Sequence, residues 1–203
     1  MPKHAPRPVL RTVLTRDLIV HTAVALIERE GVRALSMRAV AAELGVSAMA
    51  MYNHVPSKEE LVRGIAEYVM ETLELPEPTG DWRADARGLI RAFRRTTDEY
   101  PRSIALVVGN KTGIPVGLRA IERALAICDA AGIDGPTSVR VVRAMMAYTL
   151  GSQLRDAGPG PVADGPVDCP ADCPAPLAPE ADRDADFEFG LELFLSAVEA
   201  AAR

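Results

Sequence analysis

The stretch from Ser36 to Ser47, Ser-Met-Arg-Ala-Val-Ala-Ala-Glu-Leu-Gly-Val-Ser, constrains this chain more than any other. Ser36 is placed to cap a helix start by accepting a bond from a free N–H, and Val40, Ala41 and Leu44 give that helix one apolar face. Gly45 ends it, since a sharp turn needs a residue tolerant of positive φ. Ser47 follows two residues later and can cap a further helix over Ala48 to His54, which Pro56 helps to terminate. Two short helices crossing this closely need a small side chain at the contact, and Ala41 supplies it one helical turn before the glycine. Val40, Leu44, Val46 and Met51 would lock the pair from inside. The spacing therefore predicts a helix-turn-helix unit.

The surroundings are helical too. Leu18, Ile19, Ala23, Leu26 and Ile27 recur at helical spacing and stop at Gly31, predicting a helix from about Thr15 to Glu30. Ser57-Lys58-Glu59-Glu60 has the form of a capping box, in which serine and Glu60 exchange bonds with each other's backbone, and it opens a long helix reaching Leu73. Leu75-Pro76-Glu77-Pro78-Thr79-Gly80 breaks the composition and marks a domain boundary. Beyond it helices are expected at Trp82 to Tyr100 and at about 102–109, 115–131, 137–156 and 186–202. Between the last two, residues 157–183 are rich in Pro, Gly and Asp with hardly a large apolar group, which predicts a disordered loop. With only 4% aromatic residues, and Ala, Leu, Val, Met and Arg abundant, the composition favours helix over sheet. The expected fold is all-α. It has a flexible basic arm at 1–14, an N-terminal three-helix helix-turn-helix domain at 15–74, and a C-terminal helical domain at 81–203 for ligand binding and dimerisation, with its loop at 157–183.

The net charge of −5 is unevenly spread. Lys3, Arg7, Arg11 and Arg16 precede the first carboxylate, Asp17, with His4 among them, and the surplus of acid lies beyond residue 72. A basic end on an acidic body suits a chain that binds nucleic acid at one end only. A helix-turn-helix sets its second helix in the major groove, where base edges present a readable pattern of donors and acceptors. An enzyme finds no support: there is no paired nucleophile and base, no glycine loop for phosphate and no metal cluster. Three cysteines make no disulfide framework, and Cys169 and Cys173 lack two further ligands for zinc, so neither metal nor cofactor is expected. The absence of a secretory or membrane-spanning stretch in the sequence reads as cytoplasmic.

The same residues, together with Met51-Tyr52-Asn53-His54-Val55 and Ser57-Lys58-Glu59-Glu60-Leu61, resemble the TetR family over about residues 15–73. The C-terminal part is similar to its tetracycline-repressor branch at Trp82, Arg91, Tyr100-Pro101, Ala131-Gly132-Ile133, Tyr148-Thr149-Leu150-Gly151 and Phe187-Glu188-Phe189-Gly190-Leu191. The resemblance implies a repressor that binds a palindromic operator as a homodimer and is released by a small molecule. It also implies that the last helices of two subunits pack into a four-helix interface. By the same resemblance Ser36, Arg38, Ser47, Tyr52, His54 and Lys58 touch phosphates, and Ala48, Met49, Ala50 and Asn53 face the bases. Alanines and methionine at reading positions leave few bidentate contacts, so specificity leans on thymine methyls, Asn53 and DNA shape.

Apolar walls with a few hydrogen-bonding groups are the usual make-up of a small-molecule site, and Phe93, Thr97, Leu106, Asn110, Met145, Tyr148 and Gln153 form such a set. Met145 and Leu106 are equally at home in a plain core. Met70, near the end of the long helix at 57–73, joins the set because that helix is read as the only rigid element reaching from the DNA-reading head to the pocket. The apolar stripe Phe187, Leu191, Phe194, Leu195 and Val198 is broad enough to call for a partner subunit. The competing reading is a DNA-binding regulator with no small effector, gated by a protein partner or acting as an activator. A solidly packed C-terminal core would favour it.

Overall fold

The computed structural model describes residues 13–109, 115–156 and 183–202, and the regular elements among these are helices, with no strand. The arm at 1–12, residues 110–114 with the expected pocket residue Asn110, and the loop over 157–182 with Cys169 and Cys173 lie outside the described residues. The elements are α1 (Arg16–Glu30), a 3-10 turn at Val32–Ala34, α2 (Met37–Glu43), α3 (Ala48–Tyr52), α4 (Lys58–Glu71), α5 (Trp82–Glu99), α6 (Ile104–Gly109), α7 (Pro115–Ala130), α8 (Gly135–Asp156) and α9 (Arg183–Ala201).

Caps explain why the first helices start where they do. Thr15, Ser36, Ser47 and Ser57 each accept a bond from a backbone N–H three residues on, at 3.1–3.2 Å. Glu60, expected to return the bond to Ser57, pairs instead with Arg63 one turn further along. The end of α2 is a Schellman turn: Val46 N–H reaches Ala41 O at 3.0 Å and Gly45 N–H reaches Ala42 O at 3.1 Å, with Gly45 at φ 65°. Helix α3 stops at Tyr52, two residues short of the expected His54. α9 starts at Arg183, three residues before the expected position, so Arg183 is helix rather than loop. The 3-10 turn has no counterpart in the sequence reading; Ala34 and Leu35 close it onto Gly31 O and Val32 O.

Ile19, Ala23 and Ile27 of α1, Val40 of α2, Met51 of α3 and Leu61, Ile65 and Val69 of α4 share one apolar core. Tyr100 and Ile104 belong to that same core. The α5–α6 corner thus penetrates the first helical unit, and Glu28 of α1 accepts from the backbone N–H groups of Arg102 and Ser103 at 3.2 and 2.8 Å. This corrects the expectation that the helix at 57–73 alone reaches across: α6 packs on α4 as well, and both connect the two ends of the molecule.

A second core joins α5, α7, α8 and α9 through Ala86, Leu89, Ile127, Met145, Phe187, Leu191 and Leu195. The stripe expected to seek a partner subunit is therefore largely consumed inside the protomer: Phe187, Leu191, Leu195 and Val198 are buried against α5, α7 and α8. What α9 leaves exposed is its other side, with Phe189 at 68% and Leu193 at 58%. Asp85 holds the Pro-rich boundary segment onto α5 by accepting from Thr79 N and Oγ1 at 2.7 and 2.8 Å, which also keeps its carboxyl below the ordinary aspartate value.

Candidate functional site

Two places in the molecule have the geometry for binding. The first is the outer face of α2 and α3. Met51 and Val55 are buried beneath it and Leu44 and Val46 are half-buried, so α3 is anchored by its inward side. Ser36, Arg38, Ser47, Met49, Tyr52, Asn53, His54 and Lys58 are all exposed. Met49 is 74% exposed, an unusual position for an unbranched apolar side chain, and Tyr52 is 45% exposed. Ala48 and Ala50 are half-buried, and Ala48 packs against the core. Three helices begin near this face, capped by Ser36, Ser47 and Ser57. Each cap spends its hydroxyl as an acceptor on its own helix, and Ser57 also donates its hydroxyl hydrogen to the Glu59 carboxylate. Arg29 at the end of α1 bridges to Glu43 at the end of α2 at 2.7 Å and so helps to fix the first two helices relative to each other.

The second place is a cavity of about 370 Å³ inside the C-terminal helices. Met70 and Leu73 at the end of α4 form one wall. Trp82, Leu89, Ile90 and Phe93 of α5, Ile121, Ala124, Ile127 and Cys128 of α7, Met145 and Thr149 of α8, and Phe194 and Leu195 of α9 form others. The side chains are almost all apolar. Thr149 donates to Met145 O one turn back, at 3.0 Å, and burial pushes the Cys128 thiol up from its ordinary pKa.

Of the residues expected to line a pocket, Met70, Phe93 and Met145 are in this wall. Thr97, Leu106, Tyr148 and Gln153 are not, and each has another occupation. Gln153 donates through Nε2 to Thr97 O, while Thr97 Oγ1 donates to Arg94 O at 2.7 Å, so the two tie α8 to the end of α5. Tyr148 stacks on Phe187 with ring centroids 5.4 Å apart and donates to Phe187 O at 2.8 Å, fastening α8 to α9. Leu106 packs into the first core beside Ile104. The polar atoms of Thr97, Tyr148 and Gln153 thus serve the framework. The wall from Trp82 through Ala86, Leu89 and Ile90 to Phe93 is legible in the sequence as helical spacing, but of these five only Phe93 is expected in a pocket.

Comparison with known proteins accords with both places. Residues 19–65 match the family model for bacterial regulatory proteins of the tetR family, and residues 75–163 match the model for the tetracyclin repressor-like C-terminal domain. The HTH-type transcriptional repressor DrrR1 of Streptomyces coeruleorubidus is 30% identical over 153 residues, which cover 74% of this chain but only 55% of that protein. The class A tetracycline repressor from transposon 1721 of Escherichia coli is 28% identical over 195 residues, covering 91% of this chain and 90% of the repressor. Among solved structures, the Streptomyces coelicolor TetR family protein ActR in complex with (S)-DNPA superposes with a TM-score of 0.74 at 27% identity, covering 95% of this chain and all of that one. Two models of one family, the first ending at residue 65 within α4 and the second beginning at residue 75 before α5, account for both the capped helix-turn-helix and the helical body behind it, and the chain belongs to the TetR family of bacterial regulatory proteins.

Proposed function

We propose that this chain is a ligand-responsive transcriptional repressor, which binds a palindromic operator as a homodimer and leaves it when a small molecule enters the C-terminal cavity. The observation that carries the proposal is the wall shared between cavity and reading head: Met70 and Leu73 line the cavity, and the helix that ends beside them begins at the Ser57 cap next to α3. A molecule that displaces the end of α4 moves its start as well. Two half-sites in successive major grooves require the recognition helices to stand roughly 34–36 Å apart, so a small tilt in each subunit is enough to misplace them.

At the DNA, Ser36, Arg38, Ser47, Tyr52, His54 and Lys58 take phosphates, and Asn53, Met49 and the methyl groups of Ala48 and Ala50 take the groove floor. Met49 fits contact with a thymine methyl because it is apolar and held out in solvent. For the dimer, α8 and α9 pack on each other, and both leave apolar or small residues exposed, Phe189, Leu193 and Ala197 on α9 and Ala144, Ala147 and Gly151 on α8. Paired with a copy of itself, that surface makes an isologous four-helix contact. The names of the relatives point the same way, a transcriptional repressor for DrrR1 and a bound small molecule for ActR.

In vitro selection from a random duplex pool tests the DNA half of the proposal. Enrichment of an inverted repeat with half-sites about one helical turn apart is expected; a pool that stays random, or one that converges on a single unrepeated half-site, contradicts it.

A further inference from the structure

The walls of the cavity specify the chemical class of its occupant, an inference that rests on the ligand-gated reading. Among the described wall residues none is Asp, Glu, Lys, Arg, His, Asn or Gln. The polar side-chain atoms that are present are few and mostly committed. Thr149 Oγ1 donates its hydrogen to Met145 O. The thiol of Cys128 shares a hydrogen bond with Ser138, and burial disfavours its ionisation. Trp82 brings the one other N–H or O–H carried by a wall side chain. The space, about 370 Å³, lies at the small end of the usual range for ligand pockets, roughly 300–1,000 Å³.

We propose that the effector is an uncharged, largely hydrocarbon molecule carrying one or two hydrogen-bond acceptors, and that neither an anion, nor a cation, nor a polyhydroxylated metal chelate of the tetracycline type occupies this site. The reason is desolvation. A hydroxyl or amide moved from water into this wall leaves its hydrogen bonds behind, at roughly tenfold in affinity for each unpartnered group, and an ionised group loses more. Tetracycline brings several hydroxyl and carbonyl groups, an amide and an ammonium, and its metal adds charge; nothing in the described wall answers them. The similarity of the C-terminal half to tetracycline repressors thus extends to the helical frame and not to the chemistry of its interior. Shape and area do the selecting here.

Trp82 is the only tryptophan of the chain and stands in the wall, so its fluorescence reports occupancy directly. The full-length protein is titrated at pH 7.5 with n-decanol, decanoate and decylammonium, three molecules of one shape that differ in charge, and with tetracycline plus magnesium. Saturable changes in Trp82 emission, with a rise in melting temperature, are expected for n-decanol at concentrations at least about tenfold below those for either ion, and no saturation for tetracycline with magnesium. In Met146→Lys, which puts a cation at the half-buried edge of the wall, the preference should shift toward decanoate. Equal or tighter binding of an ion or of magnesium–tetracycline by the unaltered protein overturns the proposal. So does failure of n-decanol to saturate. Release of the selected operator is scored separately by anisotropy: n-decanol that fills the cavity yet leaves DNA bound supports the ligand class while refuting the gating reading.

Discussion

At the scale of single residues, the proposed function gives Lys58 and Asn53 different parts in binding DNA. Lys58 is an exposed point charge at the start of α4, placed for a phosphate, whereas Asn53 sits on the exposed turn after α3 and carries the amide that can address a base edge. Lys58→Ala should weaken operator and random DNA about equally and lower the salt slope by about one per subunit, while Asn53→Ala should cost about 1–3 kcal/mol on operator alone. Anisotropy titrations at several salt concentrations separate the two; a change of sequence preference in Lys58→Ala at constant slope would reverse the assignment. Gly190 illustrates a different constraint. A Cβ there would stand 2.6 Å from Tyr148 Cζ, and the Tyr148 ring cannot swing away without losing its stack on Phe187 and its bond to Phe187 O. Gly190→Ala should therefore destabilise the fold by about 1–3 kcal/mol, visible as a lower denaturation midpoint.

At the scale of elements, α5 and α9 are joined by a ladder of ion pairs whose rungs recur at each helical turn. Arg83 reaches Glu199 at 2.8 Å and Glu192 at 3.1 Å, Arg87 reaches Glu192 at 2.6 Å, Arg91 reaches Glu188 at 2.7 Å and Arg94 reaches Asp184 at 3.0 Å. Arg94 also stacks over the Phe187 ring at 4.0 Å. Hydrogen bonds from the arginines hold the carboxyls of Glu188 and Glu192 below the ordinary glutamate value. A depressed folded-state pKa means stability that is fully present above the unfolded value, about 4.3 for glutamate, and drains away as pH falls through the lower folded value. The melting temperature should accordingly fall between about pH 5 and 3, and Glu188→Gln with Glu192→Gln should flatten that limb. Since both glutamates are more than a third exposed, each pair contributes only about 0.2–1 kcal/mol. An acid limb unchanged in the double variant would assign it to other carboxylates.

At the scale of the whole molecule, the two ends are coupled by more than one path. Helix α4 carries cavity residues at its end, while the α5–α6 corner enters the first core through Tyr100 and Ile104 and is held to α1 by Glu28. Effector and operator should lower each other's affinity by the same factor, because coupling free energy is reciprocal. Met70→Trp, which enlarges a side chain in the shared wall, should weaken effector binding or mimic the bound state by loosening DNA. Normal induction with normal operator affinity would shift the coupling to the α5–α6 corner. The dimer is tested on the other face: Phe189→Glu with Leu193→Glu, both on the exposed side of α9, should yield a 21.7 kDa monomer in sedimentation that remains helical. A dimer that persists would place the interface elsewhere.

Local signals were enough to read the helix-turn-helix from sequence. Ser36, Ser47 and Ser57 cap, Gly45 turns, and the helical spacing of Ile19, Ala23 and Ile27 marks a buried side, because capping, turn chemistry and amphipathicity are decided within a few residues. The family followed from the same residues. What those signals could not convey was the destination of each apolar face. The stripe Phe187, Leu191, Leu195 and Val198 is as apolar as an interface needs to be, yet only the packing of α9 on α5, α7 and α8 assigned it to the protomer and left Phe189 and Leu193 outside. Thr97, Tyr148 and Gln153 have the make-up of ligand groups, yet Thr97 bonds back to its own helix and Tyr148 and Gln153 bond to the backbone of neighbouring ones. Periodicity tells a helix which side to bury; whether that side meets another helix, a second subunit or an empty space depends on contacts between residues as much as 116 positions apart, and those exist only in the folded chain.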